Sequence, residues 1–99
     1  MMLIYHRLAV RDVREVLAYY ENEAGTHLAD RFFKDFMSII DKIQTHPRHF
    51  PPVTDTVLRR ANLDDFPYHI LFEERATYIK VMVVRHHRRS PRYGLRRRS

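Results

Sequence analysis

The groups best suited to bind anions or move protons are crowded into one stretch of this chain, Phe66 to Tyr93. It begins Phe66-Pro67-Tyr68-His69, passes through the apolar run Tyr78 to Val84, and ends Arg85-His86-His87-Arg88-Arg89-Ser90-Pro91-Arg92-Tyr93. Histidine titrates near neutrality and can serve as acid or base. Arginine keeps its charge and pairs with phosphate or carboxylate through a planar fork. Residues 85–99 hold seven arginines, two histidines and no acid, while the other 84 residues hold 11 Lys+Arg against 12 Asp+Glu. The whole net charge of +6 therefore arises in the last fifteen residues. A basic field so localised points to a polyanion or an acidic partner protein. Arg59, Arg60, Arg85, His86, Arg88 and Arg92 are expected to form its binding surface. Arg59 and Arg60 alternate along a strand, so one of them should point away from any given face. A basic C-terminal tail begins at about residue 94, and its last residues, Arg96-Arg97-Arg98-Ser99, are expected to be frayed and solvated.

Other chemistries find little support. The chain has no cysteine, which removes disulfides and thiolate metal sites. His86 and His87 are adjacent, so on an extended segment they point opposite ways, and no carboxylate lies near them; no metal is expected. His6, His27, His46 and His49 are scattered without ligand spacing and read as surface residues. The apolar runs are far too short to span a membrane, and Met1 to Tyr5 meets His6-Arg7 too soon for a secretion signal. The expectation is a soluble, cytoplasmic protein. Ninety-nine residues, 44% of them hydrophobic, make one small domain, 1–99, with a thin core.

The elements that must position the basic stretch follow from periodicity. Met2 to Arg7 reads as a short first strand. From Ala9 to Ala24, Val10, Val13, Val16, Leu17 and Tyr20 recur at helical spacing, with Arg11, Asp12, Arg14, Glu15 and Glu21 assigned to the other face. Gly25 ends this helix, and Thr26 is placed to cap a second, 26–46. Leu28, Phe32, Phe36, Ile39, Ile40 and Ile43 form the second helix's stripe, widened by Phe33 and Met37, before Pro47 stops it. Two helices joined so closely make a hairpin. Strands are expected at 57–63, 68–73 and 77–85, the last apolar on both faces and so central. Tyr68 and Phe72 should pack inward. The order β-α-α-β-β-β gives an α+β fold, a helical hairpin on a four-stranded, mostly antiparallel sheet.

On these residues the chain resembles the RelE/ParE superfamily of bacterial toxins from type II toxin–antitoxin (plasmid stabilisation) systems. The points of resemblance are Asp12 and Tyr19-Tyr20-Glu21 in the first helix, Leu28-Ala29-Asp30-Arg31-Phe32, and His46-Pro47. Arg59-Arg60, Phe66-Pro67-Tyr68 and Val84-Arg85-His86-His87-Arg88-Arg89-Ser90-Pro91 continue it. Phe-Pro-Tyr followed by His-x-x-Arg-x-Pro is the most specific part and favours the ParE-like side, although Tyr93 stands where many such members carry tryptophan.

The resemblance implies growth inhibition by one of two routes: ParE-like poisoning of DNA gyrase, or RelE-like endonucleolytic cleavage of messenger RNA in the ribosome. A third alternative is a degenerate member that survives as a non-toxic binding module. Cleavage without a metal or other cofactor needs groups that take a proton from the 2′-hydroxyl, balance the phosphate charge and protonate the leaving oxygen. Aligned with RelE-like members, the catalytic positions fall on His69, His87, Arg89 and Tyr93, with two arginines of the pattern replaced by histidine. The resemblance also implies a cognate acidic antitoxin, binding to operator DNA only indirectly through it, and no membrane. Tyr19, Tyr20 and Phe33 are the apolar groups expected to be left for the antitoxin.

Overall fold

The computed structural model describes residues 1–98. Strand β1 (Met2–Tyr5) leads into helix α1 (Arg7–Ala24) and helix α2 (Thr26–Thr45); a 3-10 turn at Pro47–His49 is followed by β2 (Leu58–Asn62), β3 (Tyr68–Glu74) and β4 (Tyr78–His86). The sheet runs β1-β4-β3-β2. β1 lies parallel to β4, and the other two pairings are antiparallel. This is the α+β order read from the sequence, with the apolar strand in the interior of the sheet.

The boundaries move for local reasons. β1 stops at Tyr5 because the ring of His6 caps α1, its Nδ1 accepting the Leu8 N–H at 3.0 Å. His6 is therefore a half-buried cap and not a free surface residue. Thr26 caps nothing; it is the first residue of α2, and Gly25 fills the cap position between the two helices. Gly25 has φ +83° and ψ 176°, a conformation close to glycine-only, which lets one residue end one helix and start the next.

One face of the sheet carries the helices. Val13 and Val16 of α1 meet Phe32, Phe36, Ile39, Ile40 and Ile43 of α2 over Ile70, Phe72, Ile79, Val81 and Val84. Tyr68 and Phe72 are buried there as expected. Phe33 and Met37 are not part of this layer and stay exposed, at 44% and 41%. Two acids do belong to it. Asp12, assigned by pattern to the polar face of α1, is buried, and so is Asp35 on α2. Asp35 accepts the backbone N–H groups of Asp64, Asp65 and Phe66 at 3.1, 2.8 and 3.2 Å, which pins the β2–β3 turn to the helix.

The opposite face is covered by the chain's own C-terminal segment. Tyr93 packs against Leu58, Leu71, Met82 and Val83. Gly94 permits this approach. Its φ is +82°, and a β-carbon there would stand 2.5 Å from a methyl of Val83. Strand alternation places His69 and Arg85, which pair across β3 and β4, on this same face.

Candidate functional site

Four basic side chains meet at the β2-β3-β4 end of that face. Arg85 is 8% exposed and His69 1% exposed. Arg85 donates from Nε to His69 Nε2 at 2.8 Å. The stacked rings of His69 and His87 bring their Nδ1 atoms to 2.9 Å. Arg60 reaches His87 Nδ1 at 3.4 Å and Asn62 at 2.9 Å. Arg59 turns to the other side and donates to the Phe50 carbonyl at 2.7 Å, so the strand alternation separates the two arginines as expected.

The order of these bonds fixes where the protons sit. A guanidinium only donates, so His69 Nε2 must accept. Burial, and then the charges of Arg60 and Arg85, pull the His69 pKa down to about 3, so the ring is neutral at pH 7. Its one proton is therefore on Nδ1 and points at His87. Burial and then the Arg60 charge also lower the His87 pKa. Neutral His87 accepts at Nδ1 and carries its proton on Nε2. Arg85 thus sets the tautomer of both rings. The exposed edge of His87 offers an N–H donor, while its lone pair is occupied from within.

Tyr93 belongs to a second cluster on the α1 side. Its hydroxyl donates to Asp12 at 2.7 Å, and the guanidiniums of Arg89 and Arg97 lie over its ring, 3.9 and 5.1 Å from the centroid. Burial, then the bond to Asp12, raises the Tyr93 pKa. Arg97 makes a two-pronged contact with Asp12 at 2.6 and 3.0 Å and donates to the Met82 carbonyl at 3.0 Å. Burial opposes the charge on Arg97, but Asp12 outweighs it and the pKa is raised. Asp12 also accepts the Val84 N–H at 3.0 Å. β1 pairs with β4 only as far as Val81. Beyond that point Asp12 and Arg97 take the edge donor and acceptor that a neighbouring strand would otherwise hold.

The expected catalytic residues are thus divided. His69 and His87 are together; Arg89 and Tyr93 are together elsewhere. Arg85 links the two groups, because its NH1 also donates to the Pro91 and Tyr93 carbonyls, both at 2.9 Å. Two expectations are corrected here. Arg85 is a buried clamp and not part of the basic surface, because its donors are taken by His69 and the loop after β4. Arg97 is not in a frayed tail, because a buried carboxylate holds it; its side chain is 9% exposed. His86 is half-buried, its ring 5.1 Å from that of Tyr68 and its Nδ1 accepting the Arg88 N–H at 3.0 Å. Arg88, Arg89 and Arg92 are exposed. Asp12 is the residue that pattern reading misplaced, although the spacing Ala9, Asp12, Val13, Val16 sets it within the buried stripe of α1.

Comparison with known proteins agrees with this architecture. Residues 3–91 match the family described as ParE toxin of type II toxin-antitoxin system, parDE. A solved structure described as the chromosomal ParDE TA system from P. aeruginosa superposes with a TM-score of 0.79 at 18% identity, covering 87% of this chain and 95% of that chain. At that identity the likeness shows the fold. Among curated protein sequences none matches. The family match covers most of the chain, from β1 through the loop after β4, and the chain belongs to the ParE toxin family of type II toxin–antitoxin systems.

Proposed function

We propose that this toxin stops growth in the cytoplasm by binding DNA gyrase, as its ParE-like motifs suggest, and that a cognate acidic antitoxin made with it holds it inactive. The observation that carries the choice of target is the proton order of the His69–His87 pair. A metal-free ribonuclease needs a free basic nitrogen to take the 2′-hydroxyl proton. Here the lone pair of His87 is engaged by His69 and Arg60, and the Tyr93 hydroxyl is spent on Asp12. What faces solvent is a set of donors, Arg60, Arg88, Arg89, Arg92 and the His87 N–H. Such a set suits the recognition of acidic protein surface and leaves nothing to accept a proton.

The antitoxin reading rests on an apolar groove of about 340 Å³ between α1 and α2, lined by Tyr5, Val10, Leu17, Phe33 and Met37 among others. Tyr19 stays exposed nearby in the hairpin, while Tyr20 packs on the core and is not available. Apolar burial in the groove would set affinity, and charge would set the association rate. Recognition of the operator sequence would come only indirectly, through the antitoxin.

Induced expression of the toxin without its antitoxin tests the target. An early DNA-damage response with protein synthesis continuing is the expected result. Prompt arrest of protein synthesis with undamaged DNA would transfer the toxin to the ribosome, and normal growth would mark it as a non-toxic binding module.

A further inference from the structure

The C-terminal segment builds a basic cleft that shares Arg92 with the surface above and adds Arg11, Arg96 and Arg97. A cleft of about 500 Å³ lies between the first turns of α1 and the segment after Ser90, lined chiefly by Arg11, Arg92, Arg96, Arg97 and Tyr93. The segment is not loose. Asp12 holds Arg97, Arg85 holds the carbonyls of Pro91 and Tyr93, and Gly94 seats the turn against Val83. Arg92 and Arg96 are exposed, and among the described residues the side chains of both have no hydrogen-bond or ion-pair partner. Arg11 is half-neutralised by Glu15 at 3.0 Å. Guanidiniums carried on a backbone held in this way can meet an anion without the segment having to order at binding.

We propose that this cleft grips the phosphate backbone of duplex DNA. The inference rests on the gyrase reading for its purpose: a toxin that acts on gyrase works beside the DNA segment the enzyme holds. The chemistry favours a duplex over a single strand. Single-stranded nucleic acid is held by stacking its bases on open aromatic faces. The aromatic ring lining the cleft, Tyr93, packs against Leu58, Leu71, Met82 and Val83 and has the Arg89 guanidinium over it at 3.9 Å, so it offers no open face for a base. Guanidiniums without a stacking platform contact phosphates alone, which gives binding without sequence preference. An acidic protein segment is the weaker fit. The apolar groove that a folding segment needs lies along the other flank of α1, lined by Val10, Val13 and Leu17.

The test uses the full toxin, a fluorescent duplex of about 20 base pairs, and salt raised from about 50 to about 200 mM. Binding is expected to weaken with a slope of log K against log salt of about −2 to −3. The Arg92→Ala/Arg96→Ala variant should lose about two units of that slope, since each guanidinium answers for about one phosphate. Glu15→Gln should tighten binding by freeing Arg11. Lys34→Ala, on the exposed side of α2, should change nothing. If the double arginine variant binds the duplex with unchanged slope, the cleft is not the site. Tighter binding of a single-stranded RNA, or of a polyglutamate peptide, of equal length would also overturn the proposal. Gyrase inhibition by the unaltered toxin is scored separately. Inhibition without duplex binding removes the cleft and keeps the gyrase reading; binding without inhibition removes the reading.

Discussion

His69 shows how far a residue's chemistry is set by its neighbours. In water its ring would titrate near 6.5, but burial and the adjoining guanidiniums lower that to about 3. The sign of the consequence is fixed. Between these values the unfolded chain binds a proton that the folded chain refuses, so stability is fully present above about 6.5 and falls as pH drops towards 3. One such group contributes at most about 1.4 kcal/mol per pH unit across that window. His69→Gln keeps an acceptor for Arg85 and a donor for His87 but cannot titrate. Chemical unfolding of the two proteins over this range should show the steeper loss in the unaltered one, and ring nitrogen shifts should place the proton of His69 on Nδ1. Equal slopes, or a protonated His69 at pH 6, would break the tautomer argument. Nothing in the order of residues announces this pairing. His69 and His87 are 18 positions apart, and only the β3–β4 register brings them together. The two buried acids were better signposted, since Asp12 and Asp35 each fall inside an apolar helical stripe.

The elements were legible because periodicity follows the face that is buried. Phe32, Phe36, Ile39 and Ile43 recur at helical spacing, and Val81 to Val84 is apolar on successive residues because α2 and α1 cover one side while the C-terminal segment covers the other. That second cover was not legible. A run of arginines reads as solvated, and its folding depends on one carboxylate and one clamp far away in sequence. Gly94 is the residue on which this element turns. With φ +82° and no room for a β-carbon beside Val83, Gly94→Ala should cost about 2–5 kcal/mol, from left-handed strain and overpacking together. Gly25→Ala supplies the comparison, because Gly25 has φ +83° with open space around it and should cost only the backbone strain, about 1–3 kcal/mol. Amide exchange in residues 90–97 should rise selectively in the Gly94 variant. If the two substitutions cost the same and exchange is unchanged, the segment does not depend on that close approach.

At the scale of the whole molecule, the sheet separates two surfaces. The helical face leaves an apolar groove, and the other end gathers exposed arginines around a histidine pair that donates and does not accept. Family membership follows from the match over residues 3–91 and agrees with the order of the elements. The proposed mode of action, binding rather than cutting RNA, rests on the proton order of the His69–His87 pair. The most direct measurement sets purified toxin, with no antitoxin present, against gyrase acting on plasmid DNA and, in parallel, against messenger RNA on translating ribosomes. The account predicts loss of supercoiling with accumulation of cleaved plasmid, and message left intact. Cleaved message with gyrase unaffected, and cleavage lost in a His87→Ala variant that still folds, would contradict it.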